Sequence, residues 1–459
     1  MHFQSKPAKN ATRISFIEGL LTRFDGKTLF IGTGTEKSIT RRKFVLRMRK
    51  VISVAKQNKC TAIALTFTDI RSFAPNDYSD HEVGQVAGTA FVMANYEPTG
   101  YKTTPKDGWP EVTAVAIIGA SKTAEAGFAR GKIIGAEVNA CRELANTPGN
   151  DMTPALLAAA AKAAAKGQNI QVSALGVKEM KKLGMGAVLG VGLGSAEKPQ
   201  FIVMEYWGAN KKEKPVVLVG KGVTFDTGGL QVKPGDSMYE MHMDMSGGAS
   251  VIHAVALAAK LKLKVNVVAL VPAVENASAS NAMRPGDILK SLSGKTIEIL
   301  HTDAEGRVIL ADAITYAKRY NPAVVADVAT LTGAALVALG EQASAFMTNE
   351  KGFSIADYMA LAESSGDYMW PLPLWEEYDD MVKGKFADVP NISTAGNSRY
   401  GGVIAGGKFL EVFAKELDAP WIHIDMAPRM TSVAGEYLAK GAAGAPVRFL
   451  LALIEKHAH

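Results

Sequence analysis

Residues 216–229 read VVLVGKGVTFDTGG, and the architecture of the chain can be inferred from this stretch. Four consecutive apolar residues, Val216 to Val219, lead directly into a glycine-rich turn that carries Lys221 and Asp226. A short, unbroken apolar run is typical of a strand that is buried on both faces, because a half-exposed strand would alternate apolar and polar residues. The stretch therefore predicts a central strand of a parallel sheet, with functional side chains at its carboxyl end.

Further apolar runs alternate with helical patterns along the chain. Strands are predicted at 265–271, 296–300 and 324–329, and helices at 250–263 and 308–320. Parallel strands need crossover connections, and these are usually helices that cover the faces of the sheet. The alternation therefore predicts the α/β class, with a mostly parallel central sheet flanked by helices.

A run of turn-forming residues divides the chain. Residues 146–154 read NTPGNDMTP, and turn formers of this kind separate regular elements. The chain has 459 residues, more than the roughly 250–300 at which a single core stops growing. We therefore expect a smaller N-terminal α/β domain at 1–145 and a larger catalytic domain at 146–459.

Shorter elements are predicted on either side of this division. In the smaller domain, the patterns indicate strands at 61–67 and 112–118 and a long helix at 122–145. In the larger domain, a helix is predicted to start with Thr153 as its N-cap and Pro154 in its first turn, since these residue types favour those positions.

Composition excludes several classes of protein. The chain has 51 basic and 45 acidic side chains, a mild excess that permits contact with nucleic acid but does not indicate it. The two cysteines, Cys60 and Cys141, do not suggest a disulfide framework and fit a reducing compartment. No signal-peptide core and no membrane-spanning run is evident, so we expect a cytoplasmic protein.

Acidic residues follow two of the predicted strands. Asp226 follows the strand at 216–219, and Asp303 and Glu305 follow the strand at 296–300. On an extended backbone Asp303 and Glu305 would point to the same face, where two carboxylates repel each other unless a cation lies between them. With Asp244 as a fourth carboxylate, the pattern favours two divalent metal ions over one.

The glycine-rich turn also permits a phosphate-binding loop. Residues 220–229 lack the Gly-Lys-Ser/Thr ending of a Walker A loop, and a loose glycine-rich turn alone is weak support for phosphate binding. A two-metal phosphoesterase is a further alternative, since it uses similar carboxylates, although it would not need Lys221 as a ligand.

Three motifs closely resemble the leucine aminopeptidase (cytosol aminopeptidase) family. They are GKGVTFDTGG at 220–229, MHMDMSG at 241–247 and TDAEGR at 302–307. Supporting stretches include DVATLTGA at 327–334 and PWIHID at 420–425. The resemblance extends from about residue 140 to the C-terminus, and it implies a leucyl-type metallo-aminopeptidase that acts on peptides.

The resemblance implies a ligand set for two divalent metal ions, Zn or Mn. One metal would be bound by Asp226, Asp303 and Glu305. The other would be bound by Lys221, Asp226, Asp244 and Glu305. As a ligand, Lys221 must be neutral and therefore needs a depressed pKa. A hydroxide that bridges the metals would attack the carbonyl of the N-terminal residue.

The resemblance also implies roles for residues around the metals. Lys233 would polarise the substrate carbonyl, and Arg307 would bind a bicarbonate ion that acts as general base. Met241, Thr330 and Gly333 would line an apolar pocket suited to Leu or Met. The family usually forms homohexamers. Some members bind DNA, so a DNA-binding or scaffold role, in addition to or instead of peptidase activity, is the alternative.

Two parts of the sequence depart from the pattern of the family. In the motif around Asp303, His301 stands where the family has Asn and Val308 where it has Leu, and a neutral, hydrogen-bonded imidazole is expected at His301. Residues 427–430 read APRM, which differs from the small-residue run usual near the substrate. The segment at 427–430 leaves the side-chain preference of the enzyme open, whereas His301 bears on the pH behaviour of the neighbouring acids.

Overall fold

The computed structural model describes the chain in three stretches, 1–34, 39–395 and 400–458. The chain divides into two compact units, the first made of residues 1–140 with 432–441 and the second of 141–431 with 442–459. The first boundary lies inside one long helix, so the helix predicted at 122–145 is confirmed and its residues are shared between the units.

The first unit is a layered α/β structure. Its elements are β1 (His2–Gln4), β2 (Thr12–Ile17), β3 (Arg23–Phe24), β4 (Thr28–Gly32), α1 (Arg41–Gln57), β5 (Ala62–Thr66), α2 (Phe67–Arg71), α3 (Asp80–Asn95), β6 (Ala114–Ile118) and α4 (Lys122–Asn146). Six strands of its described residues form one sheet in the order β1-β6-β5-β2-β4-β3. All neighbouring strands are parallel except β3 and β4. The strands predicted at 61–67 and 112–118 are β5 and β6.

The second unit contains more than twice as many elements. They are α5 (Pro154–Ala165), β7 (Ile170–Leu175), α6 (Val177–Leu183), α7 (Gly186–Val191), β8 (Gln200–Trp207), β9 (Val216–Gly220), β10 (Gly222–Asp226), α8 (Gly235–Met238), α9 (Ser246–Lys260), β11 (Asn266–Asn276), β12 (Ile288–Lys290), β13 (Thr296–Glu298), α10 (Glu305–Ala317), β14 (Val324–Ala329), α11 (Gly333–Leu339), β15 (Ser344–Thr348), α12 (Ile355–Ser365), β16 (Met369–Pro371), β17 (Val389–Pro390), α13 (Gly402–Ala414), β18 (Trp421–Asp425) and α14 (Val447–Lys456).

A large sheet forms the centre of the second unit. Its described strands run in the order β16-β15-β18-β14-β9-β11-β8-β7, and β10 also pairs with β11. The four middle strands, β18, β14, β9 and β11, are mutually parallel. Every residue of β9, β14 and β18 is buried, as the unbroken apolar run at 216–219 predicts. The predicted α/β class with a mostly parallel central sheet is confirmed.

The start of α5 follows the capping chemistry expected from the sequence. The Thr153 hydroxyl accepts a hydrogen bond from the Leu156 backbone N–H at 3.3 Å, and Pro154 occupies the first helical position. The hydroxyl satisfies one of the backbone donors that a helix leaves unpaired at its N-terminus, an interaction that contributes roughly 1 kcal/mol.

The interpretation of residues 296–305 is wrong in two respects. The strand there, β13, pairs with β12 and β17 in a separate small sheet of the described chain and does not belong to the central sheet. Asp303 lies in a turn, and Glu305 is the first residue of α10, so these two acids do not share one face of a strand. Alternation along an extended backbone does not apply, because the chain leaves the strand at Ile299.

No helix in the described stretches combines the length and the apolar character needed to cross a bilayer.

Candidate active site

Four acidic residues of the second unit converge near the carboxyl ends of its central strands. Asp226 ends β10, Asp244 precedes α9, and Glu305 begins α10 after Asp303 in the preceding turn. Carboxylate oxygens of Asp226, Asp244 and Glu305 lie within 4.8 Å of one another, and these three side chains are buried. We call these four residues the acidic cluster.

The Lys221 side chain lies among these carboxylates. Its Nζ is 2.8 Å from oxygens of both Asp244 and Glu305 and donates a hydrogen bond to the Thr330 carbonyl oxygen at 2.9 Å. A Cβ at 306 would lie 2.6 to 2.8 Å from the end of the Lys221 side chain, so any larger residue there would displace the amine. The small residue after Glu305 therefore makes room for the amine.

A second lysine bridges the other side of the acidic cluster. Lys233 Nζ is 2.8 Å from Asp226 Oδ2 and 2.5 Å from Asp303 Oδ1. The loop that brings Lys233 back to the cluster passes through Gly228 at φ +87°, a conformation that glycine adopts without strain. The Gly228 N–H also donates to Asp226 Oδ1 at 2.9 Å.

Burial and mutual repulsion set the protonation of the acids. Burial, followed by the charge of Glu305, raises the pKa of Asp226 to about 7. Burial raises the pKa of Asp244 to about 8 despite the nearby Lys221. Glu305 behaves differently, because Lys221 and Lys233 outweigh its burial and lower its pKa. Burial also raises the pKa of Asp303, so Asp226, Asp244 and Asp303 hold protons more tightly than free acids, whereas Glu305 does not.

The acids around Lys221 oppose the depressed pKa that a ligand role needs, and the depression expected from adjacent cations stays a prediction. Burial alone would lower the pKa of Lys221, but Asp244, Glu305 and Asp226 together raise it above its ordinary value. The amine faces three acidic groups, and negative charge stabilises its ammonium form. A ligand role for Lys221 thus requires the charge of a metal ion to displace its proton.

Three carboxylate oxygens of the acidic cluster are available as metal ligands. Asp244 Oδ2, Asp303 Oδ1 and Glu305 Oε1 are buried and make no hydrogen bond of good geometry within the described residues. Each faces a lysine Nζ at 2.5 to 2.8 Å, so ammonium groups balance their charge. Hard carboxylate oxygens suit divalent cations, and the donor set therefore fits the metals that the sequence implies.

Arg307 lies on α10 beside the acidic cluster, and its guanidinium is buried. Burial lowers the pKa of Arg307 to about 10, against the opposing charges of Asp425 and Glu305. Its Nε has no hydrogen-bond partner in the described part of the chain. A buried cation with an unpaired donor can bind a small anion.

The three predicted pocket residues occupy different positions around the cluster. The Thr330 hydroxyl donates to Asp244 Oδ1 at 2.7 Å, so Thr330 touches the cluster directly. Met241 lies in the turn before Asp244 and is half-buried, whereas Gly333 begins α11 and is exposed. Their joint role as a pocket stays a prediction.

The two departures from the family pattern have defined surroundings. His301 Nδ1 accepts the Asp303 backbone N–H at 3.2 Å, while burial and then Lys233 lower the pKa of His301. The imidazole is therefore neutral near pH 7, as expected. In the 427–430 segment, Pro428 is buried and Arg429 donates to the Glu341 carbonyl oxygen at 2.7 Å.

Asn276 was not predicted as a site residue. It ends β11 opposite Asp226, and its Nδ2 donates to Asp226 Oδ1 at 2.8 Å and to the Thr302 carbonyl oxygen at 3.1 Å. It thereby ties Asp226 to the turn that carries Asp303. The available signal was its place at the end of the apolar run PAVEN, residues 272–276, since residues at strand ends in such sheets face ligands.

Comparisons with known proteins found a matching family and similar chains. The catalytic domain of the cytosol aminopeptidase family matches residues 139–451. A probable cytosol aminopeptidase of Azoarcus sp. (strain BH72) is 49% identical over 326 residues, which cover 71% of this chain and 63% of that protein. Another, from Vesicomyosocius okutanii subsp. Calyptogena okutanii (strain HA), is 39% identical over 99% of this chain and 90% of its own length.

Solved structures share the fold across nearly the whole chain. The bottromycin maturation enzyme BotP superposes with a TM-score of 0.85 at 26% identity, covering 97% of this chain and 98% of that one. A structure of BotP in complex with Mn gives a TM-score of 0.84 at 27% identity.

Proposed function

The chain belongs to the cytosol aminopeptidase family, and we propose that it is a metal-dependent aminopeptidase that removes the N-terminal residue from peptides. One observation carries the proposal: the carboxylates of the acidic cluster converge with the Lys221 amine at the carboxyl ends of a parallel sheet. A buried group of acids with perturbed pKa values at such a position is typical of a catalytic site.

In this proposal the acidic cluster binds two divalent metal ions, Zn or Mn. Asp226, Asp303 and Glu305 hold one, and Lys221, Asp226, Asp244 and Glu305 hold the other. Metal ions bound there would polarise the substrate carbonyl and lower the pKa of a water molecule, which is the chemistry that peptide hydrolysis needs. BotP, which shares the fold, has been solved with Mn.

Two charged residues beside the acidic cluster, Lys233 and Arg307, are assigned to the substrate carbonyl and to proton transfer. Lys233 contacts Asp226 and Asp303, and we assign its ammonium group to donate a hydrogen bond to a carbonyl oxygen that gains negative charge. Arg307, buried and with Nε unpaired among the described residues, would hold a bicarbonate ion, which would supply a general base beside the metal site.

Substrate selection is assigned to the half-buried surface beside the cluster. Met241, Thr330 and Gly333 line the pocket for the N-terminal side chain. The apolar Met241 side chain and the absence of a side chain at Gly333 favour Leu or Met over charged residues, because an apolar wall does not compensate a desolvated charge.

The activity is tested with leucine amide as substrate and with its N-acetylated form as the blocked control. We expect hydrolysis that a chelator abolishes and that Mn²⁺ or Zn²⁺ restores. Asp303→Ala should lower turnover at least about 100-fold, whereas Asp380→Ala, which removes an exposed carboxylate, should not. Wild-type turnover in Asp303→Ala would contradict the metal assignment.

The Lys233 assignment has a separate test. Lys233→Ala should lower turnover far more than it lowers bound metal, since Lys233 is assigned to the substrate and not to the metal ligands. Equal losses of both would contradict this role.

A second candidate function is DNA binding, favoured by the charge distribution. Residues 1–140 hold 20 of the 51 basic side chains but only 12 of the 45 acidic ones, so the positive excess of the chain lies in its N-terminal part. Retention of duplex DNA at near-physiological salt, weakening as salt rises, would support this role. No binding at that salt would exclude it.

We also propose a homohexamer in the cytoplasm, in line with the family. Light scattering of the purified chain should give about six times the 48.7 kDa mass of one chain. A monomer at micromolar concentration would contradict the hexamer.

A further inference from the structure

A fifth buried carboxylate, Asp425, lies outside the acidic cluster. It ends β18 and is fully buried. Its Oδ1 accepts backbone N–H groups from Leu331 at 3.1 Å, Ala427 at 3.2 Å and Thr332 at 3.4 Å, and its Oδ2 accepts the Thr332 hydroxyl at 2.7 Å. Four donors from two segments of the chain therefore converge on one side chain.

The two segments that Asp425 joins are those that the family resemblance places near the substrate. Residues 330–333 follow β14 and contain the proposed pocket residues Thr330 and Gly333. Residues 427–430 follow β18 and are the segment that departs from the family pattern. Because β14 and β18 are parallel neighbours, both segments leave the sheet at the same edge.

The segment at 330–333 also touches the acidic cluster. The Thr330 carbonyl accepts a hydrogen bond from Lys221, and its hydroxyl bonds Asp244. A shift of the backbone at Leu331 and Thr332 would therefore move Thr330 relative to both the pocket and the amine.

A carboxylate suits this position better than any other side chain. An ionised Asp offers acceptor sites without a donor, which matches four converging donors, whereas the amide of Asn would turn an NH₂ group toward at least one of them. Arg307, whose charge interacts with that of Asp425, compensates the buried negative charge from α10.

We propose that Asp425 is a positioning residue that holds the two segments together and thereby sets which N-terminal side chain the enzyme accepts. This inference rests on the proposed aminopeptidase function. Loosening either segment widens the pocket, so a large apolar side chain loses contacts and the preference for Leu over Ala falls.

The test compares hydrolysis of leucine amide and alanine amide by metal-loaded protein, with calorimetric binding of the products leucine and alanine as a second readout.

Asp327→Asn is a matched control. Asp327 is a buried carboxylate on the adjacent strand, but it bonds Trp421 Nε1 and His423 within the sheet and does not bond the 331–332 or 427–430 segment.

Asp425→Ala should reduce the Leu-to-Ala ratio of kcat/KM at least about tenfold, the scale at which apolar pockets discriminate. Asp425→Asn keeps one acceptor oxygen and should therefore retain more of the Leu-to-Ala ratio of kcat/KM than Asp425→Ala does. The ratio of the affinities for leucine and alanine should change in the same order. Asp327→Asn should lower thermal stability but keep the wild-type ratio. If Asp425→Ala does not fold, Asp425→Asn and Thr332→Ala replace it, each with a smaller expected loss.

Wild-type ratios in the Asp425 and Thr332 variants would overturn the inference, and so would an equal loss of the ratio in Asp327→Asn. The proposed function fails by a different result, namely wild-type protein that neither hydrolyses the amides nor binds their products.

Discussion

Binding of divalent metal at the acidic cluster should release protons, because burial raises the pKa values of three of its acids. With pKa values of about 7 and about 8, Asp226 and Asp244 both retain protons in part at pH 7. Ligands must lose their protons, so these two acids together should release roughly one proton or more, and Asp303, whose pKa burial also raises, adds to that number. If Lys221 also becomes a neutral ligand, it releases one more.

The number of protons should fall as pH rises. At pH 9 Asp226 and Asp244 are already ionised for the most part, which leaves roughly one proton, that of Lys221. Affinity for metal should therefore increase between pH 6 and pH 9, because fewer protons compete with the metal.

Calorimetric titration of chelator-stripped protein with Mn²⁺ measures this release directly. The same titration is run in two buffers whose ionisation enthalpies differ, and the difference in heat gives the number of protons. Asp380→Ala, which lacks an exposed carboxylate, should match the wild type. Release of less than about half a proton at pH 7, or equal release at pH 7 and pH 9, would refute the reasoning.

Three further predictions follow from packing and charge. Gly306→Ala places a methyl group 2.6 to 2.8 Å from the Lys221 side chain and should weaken metal binding at least about tenfold, as measured by equilibrium dialysis; unchanged binding would show that the amine has room to move. Asp312→Asn should lower the free energy of unfolding by about 1–3 kcal/mol in urea titrations. The Asp312 carboxylate accepts hydrogen bonds from the N–H groups of Val188 at 3.0 Å and Leu292 at 2.7 Å, and the NH₂ group of Asn would face one of these donors. A stability equal to that of the wild type would contradict this. Metal-stripped protein should lose thermal stability as pH rises from 6 to 9. The folded-state pKa values of Asp226 and Asp244 lie above those of unfolded chains, so the folded state binds more protons in that range. A rise in melting temperature from pH 6 to pH 9 would contradict the raised pKa values.

The parts of the fold that local sequence encodes were predictable. The strand at 216–219 reads as buried because each of its residues is apolar, and Thr153 and Pro154 mark a helix start because capping depends on neighbouring residues alone. The class of the fold follows from the alternation of such elements.

Pairing between distant segments was not predictable in the same way. The strand at 296–298 looks like those of the central sheet, but its partners are β12 and β17, and the sequence of one strand does not specify its neighbours. The same limit explains Asn276 and Asp425, whose bonds reach residues 50 and 94 positions away along the chain. The motif residues 221, 226, 244, 303 and 305 could be proposed because a family resemblance supplied the distant relationship.

Lys221 and Lys233 give the second unit internal counterions. Many small metal-binding domains are unfolded without their ion, because nothing else offsets the repulsion among the ligands. Here two ammonium groups lie between the carboxylates, so we expect the second unit to depend less on bound metal for its stability than domains of that kind.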